Sequence, residues 1–101
     1  MAIALSGKQK RYLRGLGHHL KPQVLVGKAG LSEEVVSSLE LALEARELIK
    51  VRFADGFDGT PDAGAKLVAQ AAGAAVAGRV GRTALVYRAR QDDPRIALPE
   101  K

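Results

Sequence analysis

The chain has 101 residues, a net charge of +5, 47% hydrophobic residues and no cysteine. This length suits one domain with a single core, and the lack of cysteine excludes disulfides and thiolate metal sites. No apolar stretch approaches the roughly 20 residues of a membrane helix, and the apolar segment from Met1 to Leu5 is too short for a signal peptide, so we expect a cytoplasmic protein without membrane association.

The charge is distributed unevenly along the chain. Residues 1–30 carry six bases and no acid, residues 31–62 have a balance of −5, and residues 63–101 have a balance of +4. A basic first third followed by an acidic middle predicts a polarised surface. Such a surface is typical of a protein that binds a polyanion, although many small proteins are basic without having that function.

The first predicted helix begins after Ser6, where Gln9 completes a capping box. It ends near His18, because Gly15 and Gly17 weaken its last turn. Helical spacing places an apolar stripe on one side, made of Leu5, Tyr12, Leu13 and Leu16. The opposite side carries the cations Lys10, Arg11 and Arg14, with Lys8 at its edge. We expect this helix to bury one face and to present a cationic face to solvent.

The middle of the chain predicts a strand, a helix and a second strand. Val24 to Val26 follow Pro22 and indicate a short buried strand. A helix then begins at the N-cap Ser32, and the acids along it would repel phosphate. The segment from Leu48 to Phe53 alternates apolar and charged residues, which is typical of a half-buried strand.

The last part of the chain predicts a helix and a hairpin. Thr60 and Pro61 start the third helix, whose expected core side is Leu67, Val68 and Ala71 and which ends near Gly73. Two strands, Ala74 to Val80 and Thr83 to Arg88, are joined by a turn at Gly81-Arg82. The resulting α-β-α-β-α-β-β order predicts a two-layer α/β (α+β) domain, in which helices pack on a four-stranded mixed sheet. We expect one domain over residues 1–98, and a charged, partly flexible tail over residues 91–101.

The strongest local motif is Gly27-Lys28-Ala29-Gly30, which connects a strand to a helix N-terminus. Its two glycines allow a ligand to approach the backbone, and the helix N-terminus favours an anion. RNA-binding KH domains clamp backbone nucleotides with a GxxG loop of this kind. Any tight strand-to-helix turn can also use two glycines, so a purely structural role stays open, but the neighbouring cationic helix favours phosphate binding.

The motifs of nucleotide-binding enzymes are absent. The loop lacks the Gly-Lys-Ser/Thr sequence of a P-loop, and no GxGxxG dinucleotide fingerprint occurs. The pair His18-His19 has no third ligand nearby in the sequence, which argues against zinc, and no triad has recognisable spacing. We therefore expect no catalytic residue, no cofactor and no small-molecule substrate. The two histidines either end the first helix at the negative end of its dipole or contact RNA.

The remaining candidates are aromatic and arginine side chains. Tyr12 and Phe53 lie on predicted core stripes, so we expect them to be buried, which disfavours a sheet that stacks bases on exposed aromatics. Arg82 at the hairpin turn and Arg88 near the end of the last strand are secondary candidates for RNA contact. For both arginines, a solvated surface charge is an equally good interpretation.

Several segments together resemble the CRM domain, which serves in chloroplast RNA splicing and ribosome maturation, and in particular its stand-alone bacterial YhbY type. The resemblance extends from about Ser6 to Leu98. The segments that carry it are Arg14-Gly15-Leu16, His18 to Pro22, Val24 to Leu31, Ala42-Leu43, Glu47 to Val51, Gly81-Arg82-Thr83 and Leu85 to Arg88. A departure concerns the third helix, which is unusually rich in alanine and glycine.

The resemblance implies a fold like the C-terminal domain of bacterial translation initiation factor three. It also implies RNA binding, and an association with precursors of the large ribosomal subunit. The implied RNA contacts are the loop residues Gly27, Lys28, Ala29 and Gly30, with Lys21 and the bases of the first helix beside them.

Our leading hypothesis is a monomeric ribosome-assembly factor that binds ribosomal RNA through its phosphates. A basic module that meets an acidic protein partner is an alternative, and so is a general RNA binder without a ribosomal role. A small RNA-modifying enzyme would need a catalytic cluster, which the sequence does not show.

Overall fold

The computed structural model describes residues 4–101 and contains three helices and four strands. Of the apolar N-terminal segment, positions 1–3 therefore lie outside the described residues. The elements are α1 (Gly7–Gly17), β1 (Pro22–Val26), α2 (Glu33–Arg46), β2 (Leu48–Phe53), α3 (Pro61–Ala72), β3 (Ala75–Val80) and β4 (Thr83–Tyr87). The predicted element order is confirmed. The predicted N-caps Ser6, Ser32 and Thr60 each accept a hydrogen bond from the backbone N–H three residues later.

The four strands form one mixed sheet in the order β1-β2-β4-β3, which confirms the predicted sheet. β1 and β2 are parallel, whereas β4 is antiparallel to both β2 and β3. The carboxyl ends of β1 and β2 therefore meet at the same end of the sheet, together with the hairpin turn. At this end the N–H of Ala54 donates to the carbonyl of Val26 (2.9 Å), and the N–H of Phe53 donates to that of Arg82 (2.7 Å).

Helices cover both faces of the sheet. On one face, α2 and α3 pack on strand residues such as Val26, Val51 and Phe53. On the other face, Leu13 of α1 packs on residues such as Leu85. This differs from the expected two-layer arrangement, because Leu48, Leu85 and Tyr87 give the second face an apolar part on which α1 packs. We call these the α2/α3 face and the α1 face.

The side of α1 that faces the sheet differs from the predicted stripe. Gln9, Leu13 and Gly17 are buried, whereas Tyr12 and Leu16 are 42% and 44% exposed. The prediction that Tyr12 is buried was therefore wrong. A Cβ atom at Gly17 would lie 2.6 Å from Leu85 Cδ1, so the absence of a side chain allows the helix to contact the sheet there. Burial of Gln9 is tolerated because its Nε2 donates to the carbonyl of Pro99 (2.9 Å).

The core side of α3 also differs from the prediction. Val68 is buried as expected, but Leu67 is 49% exposed and Ala71 is exposed as well. The buried side instead includes Gly64, where a Cβ atom would lie 2.6 Å from Phe53 Cε1. The rings of Phe53 and Phe57, whose centroids are 5.0 Å apart, leave no room for a side chain at Gly64.

The last residues form no helix or strand, but they contact the α1 face. Ile96 and Leu98 pack against the cluster around Leu13. The carboxylate of Glu47 accepts hydrogen bonds from the backbone N–H groups of Arg90 (2.9 Å), Arg95 (2.7 Å) and Ile96 (3.0 Å). The tail thus packs beside α1. The flexibility expected for residues 91–101 stays a prediction.

Glu47 is the one acid buried in residues 4–101, with 1% of its surface exposed, and its φ is +64°. Burial by itself raises the pKa of this carboxyl group. The three backbone donors and the positive charge of Arg90 outweigh burial, so the pKa lies below its ordinary value of 4.5. Glu47 is therefore ionised at neutral pH and holds the tail as a carboxylate.

Candidate functional site

The cations of α1 are available to a ligand. Lys8, Arg11 and Arg14 are exposed, and Lys10 is half-buried. Within residues 4–101, no carboxylate lies within ion-pair distance of any of the four. Lys10, Arg14 and His18 are spaced four residues apart and so share one flank of the helix. This flank faces β3, where Arg14 Nη1 donates to the carbonyl of Ala77 (3.4 Å).

A groove of about 530 Å³ lies between the end of α1 and the part of the sheet that α1 leaves uncovered. It forms because α1 ends at Gly17, over Leu85 in the middle of β4. Its lining comes from α1, from the residue that follows it and from all four strands, namely Arg14, Gly17, His18, Pro22, Lys50, Gly78, Arg79, Val80, Thr83 and Leu85. The groove therefore combines an apolar floor with three basic side chains, Arg14, Lys50 and Arg79.

Lys50 and Arg52 belong to this surface, and sequence reasoning did not select them. They alternate with the buried residues Ile49, Val51 and Phe53, so they lie on the α1 face. The alternation was the signal that could have found them. It indicates two cations on one side of a strand, but it does not tell whether a helix covers that side.

The exposed part of this sheet face connects the groove to the GxxG loop. Arg52 pairs in register with Leu25 of β1 and with Thr83 of β4. Thr83 lines the groove, and Leu25, which is 59% exposed, lies two residues before Gly27. A ligand that occupies the groove can therefore continue across Arg52 to the loop without leaving the α1 face.

The GxxG loop has one glycine that the fold requires and one that it does not. Gly30 has a φ of +67°, which favours glycine, and its N–H donates to the carbonyl of Gly27 (3.0 Å). Gly27 does not have a positive φ, and a Cβ atom there would meet nothing within 4 Å. Lys28 and Ala29 are exposed at the tip of the loop. The backbone at Gly27 is thus open to an approaching ligand.

Arg82 lies at the same end of the sheet, but its side chain binds the protein. Its Nε donates to the carbonyl of Phe53 (2.8 Å), and its Nη2 donates to that of Ala54 (2.6 Å). Its Nε also lies 3.5 Å from an Asp55 carboxylate oxygen. Arg82 thereby holds the β2–α3 loop, where a Cβ atom at Gly56 would lie 3.7 Å from Lys28 Cβ. A role for Arg82 in RNA contact stays a prediction.

His18, His19 and Lys21 lie in the exposed turn between α1 and β1. The two imidazole rings meet edge to face with centroids 5.0 Å apart. His18 lines the groove, whereas Lys21 directly precedes the lining residue Pro22. Within residues 4–101, no group of three or more His, Cys, Asp and Glu side chains could hold a metal, and no helix is both long and apolar enough to cross a membrane.

Arg88 lies apart from the other candidates. Its Nη1 contacts the carboxylate of Glu40 and donates to the carbonyl of Ala72 (2.7 Å), and its Nη2 contacts Glu44 (3.3 Å). Its side chain is 19% exposed. The structure thus assigns its guanidinium to the acidic helix α2, and we leave Arg88 out of the candidate interface, although no finding tests RNA contact at this residue.

Comparison with known proteins gives a consistent set of relatives. The CRS1 / YhbY (CRM) domain family matches residues 5–88. The Probable RNA-binding protein YqeI of Bacillus subtilis is 35% identical over 95 residues, which cover 94% of this chain and 99% of that protein. An RNA-binding protein of Haemophilus influenzae is 38% identical over 97 residues, which cover 96% of this chain and 97% of that one.

A solved structure agrees with the fold. The solution structure of the hypothetical protein SAV1595 from Staphylococcus aureus superposes with a TM-score of 0.81 at 33% identity. The match covers 95% of this chain and 100% of that chain. The relatives from Bacillus subtilis and Haemophilus influenzae are named as RNA-binding proteins, and neither name is that of an enzyme.

Proposed function

The chain belongs to the CRS1 / YhbY (CRM) domain family, and from this membership we propose that it binds structured RNA through the phosphate backbone and catalyses no reaction. Relatives that match nearly its whole length are named as RNA-binding proteins. The observation that carries the proposal is that the cations of α1, with Lys50 and Arg52, have no carboxylate partners within residues 4–101 and adjoin a glycine loop.

Backbone recognition follows from the charges of this face. Each phosphate that a lysine or arginine neutralises releases condensed counterions, which favours binding at low salt. Arg14, Lys50 and Arg52 lie on or beside the groove, and Lys8, Lys10, Arg11 and Lys21 extend the basic surface around α1. Lys28 adds a charge at the tip of the GxxG loop. The sugar-phosphate chain would contact the open backbone of Gly27 there.

The finer part of the proposal concerns the identity of the RNA. We assign the protein to ribosomal RNA of the large-subunit precursor, as a monomeric, cytoplasmic assembly factor. The resemblance to the stand-alone bacterial type of the family supports this assignment. Sequencing of RNA crosslinked to the protein in cells tests it, and reads spread over unrelated transcripts would favour a general RNA binder.

Charge reversal on α1 tests the interface. The triple variant Lys10→Glu, Arg11→Glu, Arg14→Glu should lose RNA binding, because it replaces three contacts with repulsion. The control reverses three exposed cations elsewhere, Arg46→Glu, Lys66→Glu and Lys101→Glu, so that the net charge changes equally. Affinity should be measured against salt, since three lost phosphate contacts reduce the slope of log K against log salt by about 2–3.

Two results would contradict the proposal. The α1 variant could bind with the salt slope of the unmodified protein, or the control could lose binding to the same extent. A circular dichroism spectrum should show that both variants are folded. Treatment of a pull-down with nuclease separates RNA from a protein partner, because an association through an acidic protein would persist after the RNA is removed.

A further inference from the structure

We propose that the groove at the end of α1 binds one unpaired base of the RNA, so that the protein distinguishes an interrupted stem from a continuous one. This inference rests on the proposed RNA binding and adds to it a class of RNA structure. Backbone contacts alone would need only the exposed cations and the GxxG loop. They give no reason for a concave, largely apolar site among those cations.

The floor of the groove suits a planar, apolar ligand. Leu85, Val80 and Pro22 supply apolar atoms, and Gly17 and Gly78 have no side chains to fill the space. A Cβ atom at Gly78 would lie 2.8 Å from Arg14 Cδ, so the Arg14 side chain extends directly along the β3 backbone. A nucleobase presents two apolar faces of comparable character and gains free energy when they leave water.

The rim of the groove suits the phosphates on either side of such a base. Within residues 4–101, Arg14 and Lys50 have no carboxylate within ion-pair distance. Arg79 donates to the carbonyl of Gly81 (2.5 Å), and its Nε lies 3.7 Å from an Asp62 carboxylate oxygen, so it is partly engaged. The guanidinium planes and the His18 ring can also stack on an exposed base.

An unpaired base fits this site better than a paired one does. A base inside a duplex is stacked on both faces and cannot reach a concave floor. Extrusion of a paired base costs a few kcal/mol, whereas a bulged base is already free or nearly so. The groove volume of about 530 Å³ lies within the range of sites that enclose small organic ligands.

Two RNA hairpins that differ by one bulged uridine provide the test. Stacking of one base is worth about 1–3 kcal/mol, so the unmodified protein should bind the bulged hairpin at least about fivefold more tightly. Thr83→Leu, which fills the groove without a change of charge, should reduce this preference below about twofold. Its affinity for the continuous stem and its salt slope should not change. Ser37→Leu on the exposed surface of α2 is the matched control.

A second pair of variants tests base binding in the groove through charge rather than through the filling of the groove. Lys50→Gln should weaken binding of the bulged hairpin more than binding of the continuous stem, whereas Lys66→Gln on α3 should affect neither. Equal affinity of the unmodified protein for the two hairpins overturns the inference. So does a preference that survives Thr83→Leu, or an equal loss for both hairpins in Lys50→Gln. In those cases salt-dependent RNA binding still supports the proposed function, whereas no salt-dependent binding to either hairpin contradicts that function itself.

Discussion

The two faces of the sheet differ in whether the charges of their basic side chains are compensated by carboxylates of the protein. On the α2/α3 face, Arg88 contacts Glu40, Glu44 and a backbone carbonyl, so its charge is compensated within the protein. On the α1 face, Arg14 and Lys50 have no carboxylate partner in the described residues. The comparison teaches that the number of cations on a face does not tell how many of them are available to a ligand. The available ones are those that the fold leaves uncompensated.

The two faces also differ in how their helices are held. α2 and α3 contact each other and share one continuous core with the sheet. α1 lies alone on its face, over a smaller cluster that the C-terminal tail completes with Ile96 and Leu98. The basic helix therefore depends on Glu47, which binds the tail from the start of β2.

Glu47→Gln should give the largest loss of stability. A glutamine offers one acceptor oxygen where the carboxylate serves three backbone donors, and hydrogen bonds to a buried charge are worth about 1.5–3 kcal/mol each. We expect the free energy of unfolding to fall by about 2–3 kcal/mol at pH 7, as measured by urea denaturation. Hydrogen exchange should increase in α1 and the tail more than in α2 and α3. An equal increase in exchange on both faces would show that the elements on the α1 face do not unfold separately from α2 and α3.

The same variant should change how stability depends on pH. Because the folded-state pKa of Glu47 lies below its ordinary value of 4.5, ionised Glu47 stabilises the fold above that pH. This contribution decreases as the pH falls through the lowered pKa, so the difference between the unmodified protein and Glu47→Gln should shrink below pH 4.5. Glu100→Gln, at the exposed end of the tail, is the control. A difference that stays constant down to pH 3 would contradict the role of the carboxylate.

Arg88→Ala and Lys50→Ala should have opposite consequences. Removal of Arg88 leaves Glu40 and Glu44 without their partner and should lower the unfolding free energy by about 1–2 kcal/mol. The loss is no larger because solvent reaches both acids and screens their charges. RNA affinity should change less than twofold. Lys50→Ala should leave stability within about 0.5 kcal/mol and weaken RNA binding several-fold. The contrast fails if Arg88→Ala weakens RNA binding as much as Lys50→Ala does.

Two helix glycines provide the smallest test. A Cβ atom at Gly15 of α1 would meet nothing within 4 Å, so Gly15→Ala should raise the unfolding free energy by about 0.5–1 kcal/mol through helix propensity. Gly64→Ala should instead lower it by about 1 kcal/mol, because the new methyl group would overlap the Phe53 ring and this outweighs the gain in helix propensity. Thermal unfolding of the two variants measures whether each substitution raises or lowers stability. A gain of stability in Gly64→Ala would show that α3 is not packed closely on the Phe53 ring.

Local features of the sequence predicted most of the secondary structure. The N-caps Ser6, Ser32 and Thr60 and the positive-φ residues Gly73 and Gly81 act within a few residues of the chain, so their effects can be read without the fold. The alternation of β2 was equally clear. The predicted loop Gly27–Gly30 and the cations of α1 were found for the same reason, since a glycine turn and a helical charge stripe are local patterns.

The errors arose where distant residues decide the outcome. Helical spacing placed Tyr12 and Leu67 on core stripes, but the close contacts of Gly17 with Leu85 and of Gly64 with Phe53 rotate both helices relative to those stripes. Lys50 and Arg52 were overlooked because no local pattern tells which side of β2 a helix covers. The sequence also did not show that Arg88 contacts Glu40 and Glu44, because these partners are more than 40 residues away in the chain, and RNA contact at Arg88 stays a prediction.

The sequence by itself determined the elements, their order, the cationic first helix and the glycine loop. Caps, turns and periodicity depend only on residues that are close together in the chain. Only the tertiary structure decided that α1 lies alone on one face, that it ends over a groove, and which cations stay uncompensated. These properties depend on contacts between residues far apart in sequence. A hydrogen bond such as Gln9 to Pro99, or the binding of the tail by Glu47, has no local sequence signal.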